Sequence, residues 1–343
     1  MRIAILHQSV LPDAPPEELD VLVQVEEVCR ALSRLGHEPL VFACSLNLQQ
    51  VKEFLQAANP DRVFNLVESL GGSDALVTAV PCLLESLHLP YTGSSAAAIA
   101  QSTHKLTAKR LLRASGLATP DWVEWGQANP EALRSPFVVK AIWEHASFVL
   151  DDNSVALGAG AEDPAQWIAR KMTQTGRPFF AERYIEGREF NVSVLGGDKA
   201  EVLPAAEIRF RDFPPGKPRV VGYRAKWEPD SLECLRTVRC FEFPDEDRAL
   251  IERLGFSSLR AWEVFGLSGW ARVDFRVDEK GQPWILEVNC NPCLSPDAGF
   301  VAACQRAGIL FDTVCERILS DCAGTGKGEK VRFSQGLVEG SEF

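Results

Sequence analysis

The chain has 343 residues, of which 46% are hydrophobic and 24% charged, and these proportions exclude a disordered, collagen-like or coiled-coil protein. A globular chain of this length suits two or three modules, and its core needs no disulfide framework. The net charge of −11 argues against a nucleic-acid-binding surface, although a few local lysines would still suffice to hold a small anionic ligand.

The first hundred residues alternate between strand-like and helix-like patterns, which predicts a parallel sheet with helices on its faces. Apolar residues at helical spacing predict a first helix that ends at Gly36. These apolar residues are Val21, Val25, Val28 and Leu32. We expect further helices over 48–58, with Asn47 as its cap, and near 75–87, and strands over 2–6, 39–43 and 62–67.

The rest of the chain is richer in strands. A helix over 105–114 ends at Gly116, and the tail from 324 is expected to be loose because it is rich in glycine, serine and charge. We expect further helices over 164–175, 245–265 and 298–322. We expect strands over 137–141, 146–150, 178–184, 190–195, 201–210, 220–226, 270–277 and 283–289.

The last two of these strands form a predicted hairpin. A two-residue loop at 280–281 would place Asp274 opposite Glu287 and Arg272 opposite Asn289. Because side chains alternate between the faces of a strand, Leu286 would lie on the face opposite to Glu287.

Two carboxylates that face each other across a hairpin repel, and a fold keeps such a pair mainly when a positive group lies between them. Two carboxylates and an amide oxygen are hard ligands that suit Mg²⁺, and an adjacent arginine suits a developing negative charge. The same alternation is also typical of a half-exposed hairpin whose polar face only meets water.

Several other motifs occur in the order found in one known family. They are residues 90–94, 105–109, 138–140, 182–189, 225–226, 272–274 and 286–292. Over about residues 1–320 this ordered set resembles the ATP-grasp enzymes and, more narrowly, the D-alanine–D-alanine ligase family.

The resemblance implies an α/β protein with the ATP-grasp fold. An N-terminal parallel α/β domain would cover residues 1–102. Two modules that grip the nucleotide would follow at 103–186 and 187–322, the second carrying the metal site. Residues 323–343 would be a flexible tail.

The resemblance also implies contacts with the nucleotide. Matches are present here for the lysines that contact phosphates, for one serine of the phosphate loop, and for the groups that contact the adenine and the ribose. The phosphate contacts are Lys105, Lys140, Lys226 and Ser147, the adenine contacts are Glu182 with the backbone of Arg183 and Ile185, and the ribose contact is Glu189.

The hairpin residues match the catalytic centre of the family. Asp274, Glu287 and Asn289 match the magnesium ligands. Arg272 matches the arginine that stabilises the acyl phosphate and the tetrahedral state that follows it.

The resemblance therefore implies an ATP-dependent carboxylate–amine ligase, which forms an amide or peptide bond through an acyl phosphate and converts ATP to ADP and phosphate. Its cofactors would be ATP and Mg²⁺, with Mn²⁺ as an alternative metal. Its substrates would be small, amino-acid-like carboxylates and amines. The family commonly forms homodimers, although no interface motif is readable here, and neither nucleic acid nor a membrane is an expected partner.

Three departures from the family pattern fall on the substrate side. The phosphate loop lacks the family's glycine, and its first serine is Ala146. Trp227 replaces a tyrosine that joins this serine and an N-terminal glutamate, here Glu17 or Glu18, in holding the loop over the substrate. Ala298 replaces the serine expected to bind the substrate carboxylate. We therefore expect a ligase whose substrate need not be D-alanine.

Two other functions stay open at this point. One is phosphoryl transfer to a small molecule on the same scaffold. The other is an ATP-binding protein that has lost ligation and acts as a sensor. The retained set of Arg272, Asp274, Glu287 and Asn289 favours an enzyme.

The chain shows no sign of a membrane span or a secretion signal. No apolar run approaches the roughly 20 residues that a bilayer-spanning helix needs, and the apolar N-terminus is too short for a signal peptide. Ten scattered cysteines fit a reducing compartment. We therefore expect a cytoplasmic location.

Overall fold

The computed structural model describes residues 1–126, 133, 136–144, 150–157 and 163–322. Ser147, Ala146, the predicted tail and all of the predicted strand 146–150 except Leu150 lie outside these residues. Within the described part, no helix is both long and apolar enough to cross a membrane.

The N-terminal sheet is parallel, as predicted, with the strand order β2-β1-β3. Its strands are β1 (Arg2–Gln8), β2 (Glu38–Cys44) and β3 (Arg62–Asn65), and its helices are α1 (Pro16–Arg34), α2 (Leu48–Ala58) and α3 (Ala79–Ser86). Helix α1 buries all four residues of the predicted apolar stripe, so the helical spacing is confirmed. Asn47 precedes α2, but its side chain makes no capping hydrogen bond.

A second sheet is antiparallel and has the strand order β4-β7-β5-β6. Two helices, α4 (Ala96–Thr103) and α5 (Lys105–Ala114), lead into it. Its elements are β4 (Trp122–Glu124), β5 (Phe137–Ala141), β6 (Val155–Ala156), α6 (Pro164–Thr175) and β7 (Phe179–Arg183). Helix α6 packs on this sheet, and its buried face includes Ile168 in the same apolar cluster as Phe137 and Phe179.

The third sheet holds the predicted hairpin, and within the described residues its order is β11-β10-β8-β12-β13, with β9 paired to β8. Its strands are β8 (Arg188–Leu195), β9 (Glu201–Val202), β10 (Ala206–Phe210), β11 (Thr237–Cys240), β12 (Trp270–Val277) and β13 (Pro283–Asn289). The accompanying helices are α7 (Tyr223–Trp227), α8 (Leu232–Arg236), α9 (Arg248–Phe265), α10 (Gly299–Arg306) and α11 (Phe311–Ser320).

The first and third sheets meet at a close backbone contact. A Cβ atom at Gly269 would lie 2.9 Å from the Gly93 backbone, and Gly269 has φ +74, so glycine is required there on both counts. The Ser268 hydroxyl donates a hydrogen bond of 2.7 Å to the Gly93 carbonyl. Trp270, fully buried next to this contact, belongs to the same apolar cluster as Ile3 of β1. This contact fixes the start of β12 against the N-terminal sheet.

Four sequence-based expectations are corrected. The predicted strand 220–226 is wrong, because this segment ends in helix α7, whose Tyr223 is held by a contact with α1. Residues 201–210 form two strands, β9 and β10, rather than one. The predicted helix 245–265 begins with a 3₁₀ turn, Asp245–Asp247, and 298–322 splits into α10 and α11.

The three sheets lie within the predicted modules 1–102, 103–186 and 187–322. That these modules are separate folding units stays a prediction.

Candidate active site

The hairpin of β12 and β13 brings its four polar side chains together in the predicted pairing. Asp274 lies opposite Glu287, and Arg272 lies opposite Asn289. The turn differs from the prediction, because Val277 already pairs with Pro283 and the loop is therefore longer than two residues.

A β-bulge reconciles the longer loop with the predicted pairing. The register shifts between Asp274 and Phe275, so that Phe275 pairs with Ile285 and Leu286 is the extra residue. Leu286 and Glu287 consequently both line the cavity described below, and the expectation that Leu286 lies on the opposite face is wrong. The bulge thus adds an apolar side chain beside the carboxylates.

Arg272 and Asp274 form a two-pronged ion pair. Arg272 Nε donates to Asp274 Oδ1 at 2.7 Å, and Nη2 donates to Oδ2 at 2.8 Å. Asn191 on β8 donates a further hydrogen bond of 2.8 Å to Oδ1. Burial disfavours the cation, but the Asp274 carboxylate outweighs it and raises the pKa of Arg272, which therefore stays charged.

Lys105 connects the hairpin to the edge of the phosphate loop. Its Nζ lies 3.9 Å from Glu287 Oε1 and donates to the Glu144 carbonyl. Lys105 is 8% exposed and does not line the cavity. Its position is therefore behind the cavity wall, next to the predicted metal ligand.

Glu182 is held by two lysines at the junction of α5 with the second sheet. Lys140 Nζ lies 2.6 Å from Glu182 Oε1, and Lys109 Nζ lies 2.7 Å from Oε2. Burial opposes the ionised carboxylate, but the two lysines outweigh it and lower the pKa of Glu182. The sequence analysis did not propose Lys109 as a site residue, although Lys109 lies in the motif at 105–109 that supports the family resemblance.

Glu189, the second residue of the neighbouring strand β8, pairs with Arg276 of β12. Arg276 Nη2 lies 2.9 Å from Glu189 Oε2, and Nη1 donates to the Gly187 carbonyl at 3.1 Å. Arg276 is only 4% exposed and lines the cavity, yet no motif pointed to it. Arg276 is marked as a candidate site residue only by being a buried charged side chain on a strand that alternates polar and apolar residues.

The segment after β7 contributes the two residues expected at the adenine edge. The Arg183 amide donates to the Asp121 carbonyl at 2.8 Å, so this amide is already used, and the Arg183 guanidinium stacks on Trp284. Ile185 also lines the cavity. Among the described residues none accepts a hydrogen bond from its amide, which leaves this donor for a ligand.

Helix α7 forms another part of the wall with Lys226 and Trp227. Solvent reaches Lys226, but the surrounding protein and then the Arg272 charge lower the pKa of this lysine. Tyr223 donates a hydrogen bond of 2.8 Å to Glu17 Oε2 at the start of α1. A tyrosine does therefore contact Glu17. This tyrosine is Tyr223, one helical turn before Trp227, whereas the family pattern places the tyrosine at position 227.

The cavity also contains acidic and basic side chains outside the hairpin. Asp20 accepts hydrogen bonds from the Ser295 hydroxyl at 2.8 Å, and Glu68 accepts one from Gln24 at 2.9 Å. Asp20, Glu68, Arg239 and Arg272 all line the same cavity. The carboxylates suit an ammonium group, and the guanidinium groups suit a carboxylate.

A continuous cavity of about 440 Å³ joins these groups, a size typical of small-molecule sites. Nearly all predicted site residues line it. They are Lys140, Glu182, Arg183, Ile185, Glu189, Lys226, Arg272, Asp274, Glu287 and Asn289. Lys105 lies behind the wall, and Ser147 is outside the described residues.

Comparisons with known proteins show which family and which fold this chain resembles. The family model "D-ala D-ala ligase C-terminus" matches residues 111–320. A D-alanine–D-alanine ligase of Synechococcus sp. (strain JA-3-3Ab) is 32% identical over 91% of this chain and 92% of its own length. The uncharacterized protein y4sG of Sinorhizobium fredii is 31% identical over 86% of this chain and 85% of its own.

A solved structure shows the same fold. The D-alanine–D-alanine ligase of Bacillus anthracis, complexed with ATP, superposes with a TM-score of 0.71 at 23% identity and covers 94% of this chain and 97% of its own. The predicted ATP-grasp fold is thereby confirmed. The match of the family model and the length of the similarity to its members lead to one conclusion: this chain belongs to the D-alanine–D-alanine ligase family of ATP-grasp proteins.

Proposed function

We propose that this protein is an ATP-dependent carboxylate–amine ligase that forms an amide or peptide bond and converts ATP to ADP and phosphate. The observation that carries the proposal is one continuous cavity lined by the opposed carboxylates of the hairpin, Arg272 and two lysines, together with further acidic and basic side chains. Family relatives named as ligases support the same activity.

The metal donors fit a magnesium ion that is shared with a nucleotide. In the described part of the chain, no group of three or more His, Cys, Asp or Glu side chains forms a metal cage by itself. Asp274, Glu287 and Asn289 offer two carboxylates and one amide. Mg²⁺ is usually bound through one or two carboxylates together with substrate phosphates, so this smaller set suits it, and Mn²⁺ takes the same oxygen ligands.

The rest of the cavity fits ATP. Lys140 and Lys226 bring positive charge toward the metal donors, and Glu189 reaches the ribose. Glu182 and the open Ile185 amide would meet the adenine, between apolar residues such as Leu286. Lys105 acts from behind the wall through Glu287, and Ser147 keeps its proposed place in the phosphate loop.

Bound Mg²⁺–ATP supplies the phosphoryl group that activates the substrate carboxylate. The chain contributes position and charge: Lys140 and Lys226 hold the phosphates, and Arg272 faces the charge that develops when the amine attacks the activated carbonyl. No covalent nucleophile of the protein is needed. Asp274 keeps the Arg272 guanidinium oriented through two hydrogen bonds.

Small amino-acid-like molecules are the proposed substrates, because the cavity holds both acidic and basic side chains. Trp227 and Ala298 also line the cavity, so two departures from the family pattern lie in the proposed site and leave the choice of amino acid open. All ten cysteines are free thiols, which together with ATP use supports a cytoplasmic location. A homodimer stays a prediction.

A phosphate-release screen tests the proposal. Purified protein with ATP and Mg²⁺ is offered D- and L-amino acids, singly and in pairs, and products are identified by mass spectrometry. We expect amide formation coupled to phosphate release with at least one pair. A phosphorylated product would instead identify a phosphotransferase, and ATP binding without any turnover would identify a sensor.

A further inference from the structure

The cavity end near α10 contains two guanidinium groups that converge on one point. Arg239 comes from β11 and Arg272 from β12. A Cβ atom placed on Gly299 would lie 3.6 Å from Arg239 Nη2 and 3.8 Å from Arg272 Nη1. Both side chains therefore reach the first residue of α10 from different strands.

Arg239 has no carboxylate partner in the described part of the chain. Its one hydrogen bond runs from Nη1 to the Asp297 carbonyl at 3.3 Å, and the Asp297 side chain favours the cation without forming an ion pair. Solvent reaches Arg239, but partial desolvation by the surrounding protein, followed by the Arg272 charge, lowers the pKa of its guanidinium. Two neighbouring guanidiniums repel, and they are held together best when an anion lies between them.

The start of α10 adds a third favourable element. Ala298 is its N-cap residue and makes no side-chain capping hydrogen bond, and the first turn carries no acidic residue. The amides at this end and the helix dipole thus favour a negative group at the place where both guanidiniums arrive. Ala298 is also the position at which the family's carboxylate-binding hydroxyl is missing.

We propose that Arg239, together with Arg272 and the first turn of α10, binds the carboxylate of the amine-bearing substrate and replaces the missing hydroxyl. Arg239 is then a specificity-determining residue that restricts the acceptor to amino acids with a free carboxylate. The inference rests on the proposed ligase function, but it concerns one residue that no family motif includes.

The activity test compares amino-acid acceptors with the corresponding carboxamides. With the best pair from the screen, we expect R239Q to lower kcat/KM for the amino acid by about 10- to 100-fold and to leave kcat/KM for the carboxamide within about twofold. KM for ATP should not change. R236Q is the matched control, because Arg236 lies three residues away, pairs with Asp212 outside the cavity, and should leave every constant unchanged.

A labelling test needs no turnover, so it separates this inference from the ligase proposal. The rate at which phenylglyoxal modifies Arg239 is followed by peptide mass spectrometry, with Mg²⁺ and a non-hydrolysable ATP analogue present. Amino acids from the screen should slow the modification of Arg239 and not that of Arg236, whereas their carboxamides should not.

Specific outcomes overturn the assignment. An equal loss of activity toward amino acid and carboxamide, or a raised KM for ATP, would show that Arg239 acts elsewhere. Equal protection by amino acids and carboxamides would do the same. If the wild-type protein ligates no pair, the ligase proposal fails, and the labelling result alone decides whether Arg239 binds a carboxylate.

Discussion

Arg272 is the residue on which the proposed chemistry depends most. Its guanidinium is fixed by Asp274 on one side and faces the cavity on the other. Because it meets charge that develops only during reaction, Arg272→Ala should lower kcat by about 10²-fold or more, while the ATP dissociation constant changes little. Steady-state kinetics and calorimetric ATP titration measure the two effects. Turnover close to wild type would reduce Arg272 to a structural partner of Asp274.

A second residue-scale prediction concerns the buried Lys109–Glu182 pair. Both side chains are only 2% exposed, so removing the lysine leaves a carboxylate with one partner in a poorly hydrated place. Lys109→Met should therefore lower the free energy of unfolding by about 3 kcal/mol in urea denaturation. Arg110→Met is the control, because the next residue of α5 pairs with Glu124 at the surface, and it should cost less than about 1 kcal/mol. Equal costs would refute the prediction.

The pKa of Glu182 leads to a prediction about pH. Its folded-state pKa is lowered from the ordinary 4.5, so its contribution to stability is complete above that value and is lost as pH falls through the folded-state pKa. Glu182→Gln removes this contribution at neutral pH. The difference in melting temperature between the wild-type protein and Glu182→Gln should therefore narrow as the pH is lowered from 5 toward about 3. A gap that stays constant over this range would contradict the assignment.

At the scale of elements, local patterns predicted most of what lies in regular structure. The stripe of α1, the bounds of α5, α6, β12 and β13, and the pairing of Asp274 with Glu287 follow from periodicity and from turn residues. The bulge at Leu286 did not follow, because the longer loop and the extra residue compensate each other in the register count. The pairing of Asp274 with Glu287 was therefore predicted correctly, although the predicted loop was too short.

Contacts between distant elements could not be predicted in the same way. Val220 and Val221 favour a strand, but the segment turns into α7, where Tyr223 bonds to Glu17, 206 residues away. Arg239 belongs to no motif, and only the folded position of its side chain, next to Arg272 at the first residue of α10, reveals its place. Such residues become functional candidates through tertiary geometry alone.

The Tyr223–Glu17 hydrogen bond joins α7 to α1 next to the cavity. Tyr223→Phe should loosen α7, increase the rate of limited proteolysis within 211–230 by about fivefold, and raise KM for the amino-acid substrate, because one hydrogen bond contributes about 1 kcal/mol. Glu17→Ala should act alike, and the double variant should add nothing further. Glu18→Ala is the neutral control. Additive effects would show that the two residues act independently.

At the scale of the whole molecule, the cavity lies where the sheets and α1, α7 and α10 meet. A ligand that binds there contacts elements that are far apart in sequence and come together only in the folded chain. It therefore stabilises the native state by mass action, in proportion to the logarithm of its concentration relative to its dissociation constant. Metal and nucleotide share oxygen ligands in the proposed site, so each should strengthen the binding of the other.

We therefore expect the melting temperature to rise by about 5 °C with Mg²⁺ and a non-hydrolysable ATP analogue at 100 times the dissociation constant, and by clearly less with the analogue alone. Asp274→Asn and Glu287→Gln should each abolish the increment that Mg²⁺ adds, because each removes a charged metal donor. Glu279→Gln makes the same charge change at the exposed turn of the same hairpin, so it should keep the whole increment. If both cavity variants retained it, Asp274 and Glu287 would face each other without a metal. Their opposition would then be balanced by cations of the protein such as Arg272 and Lys105, which already lie next to them.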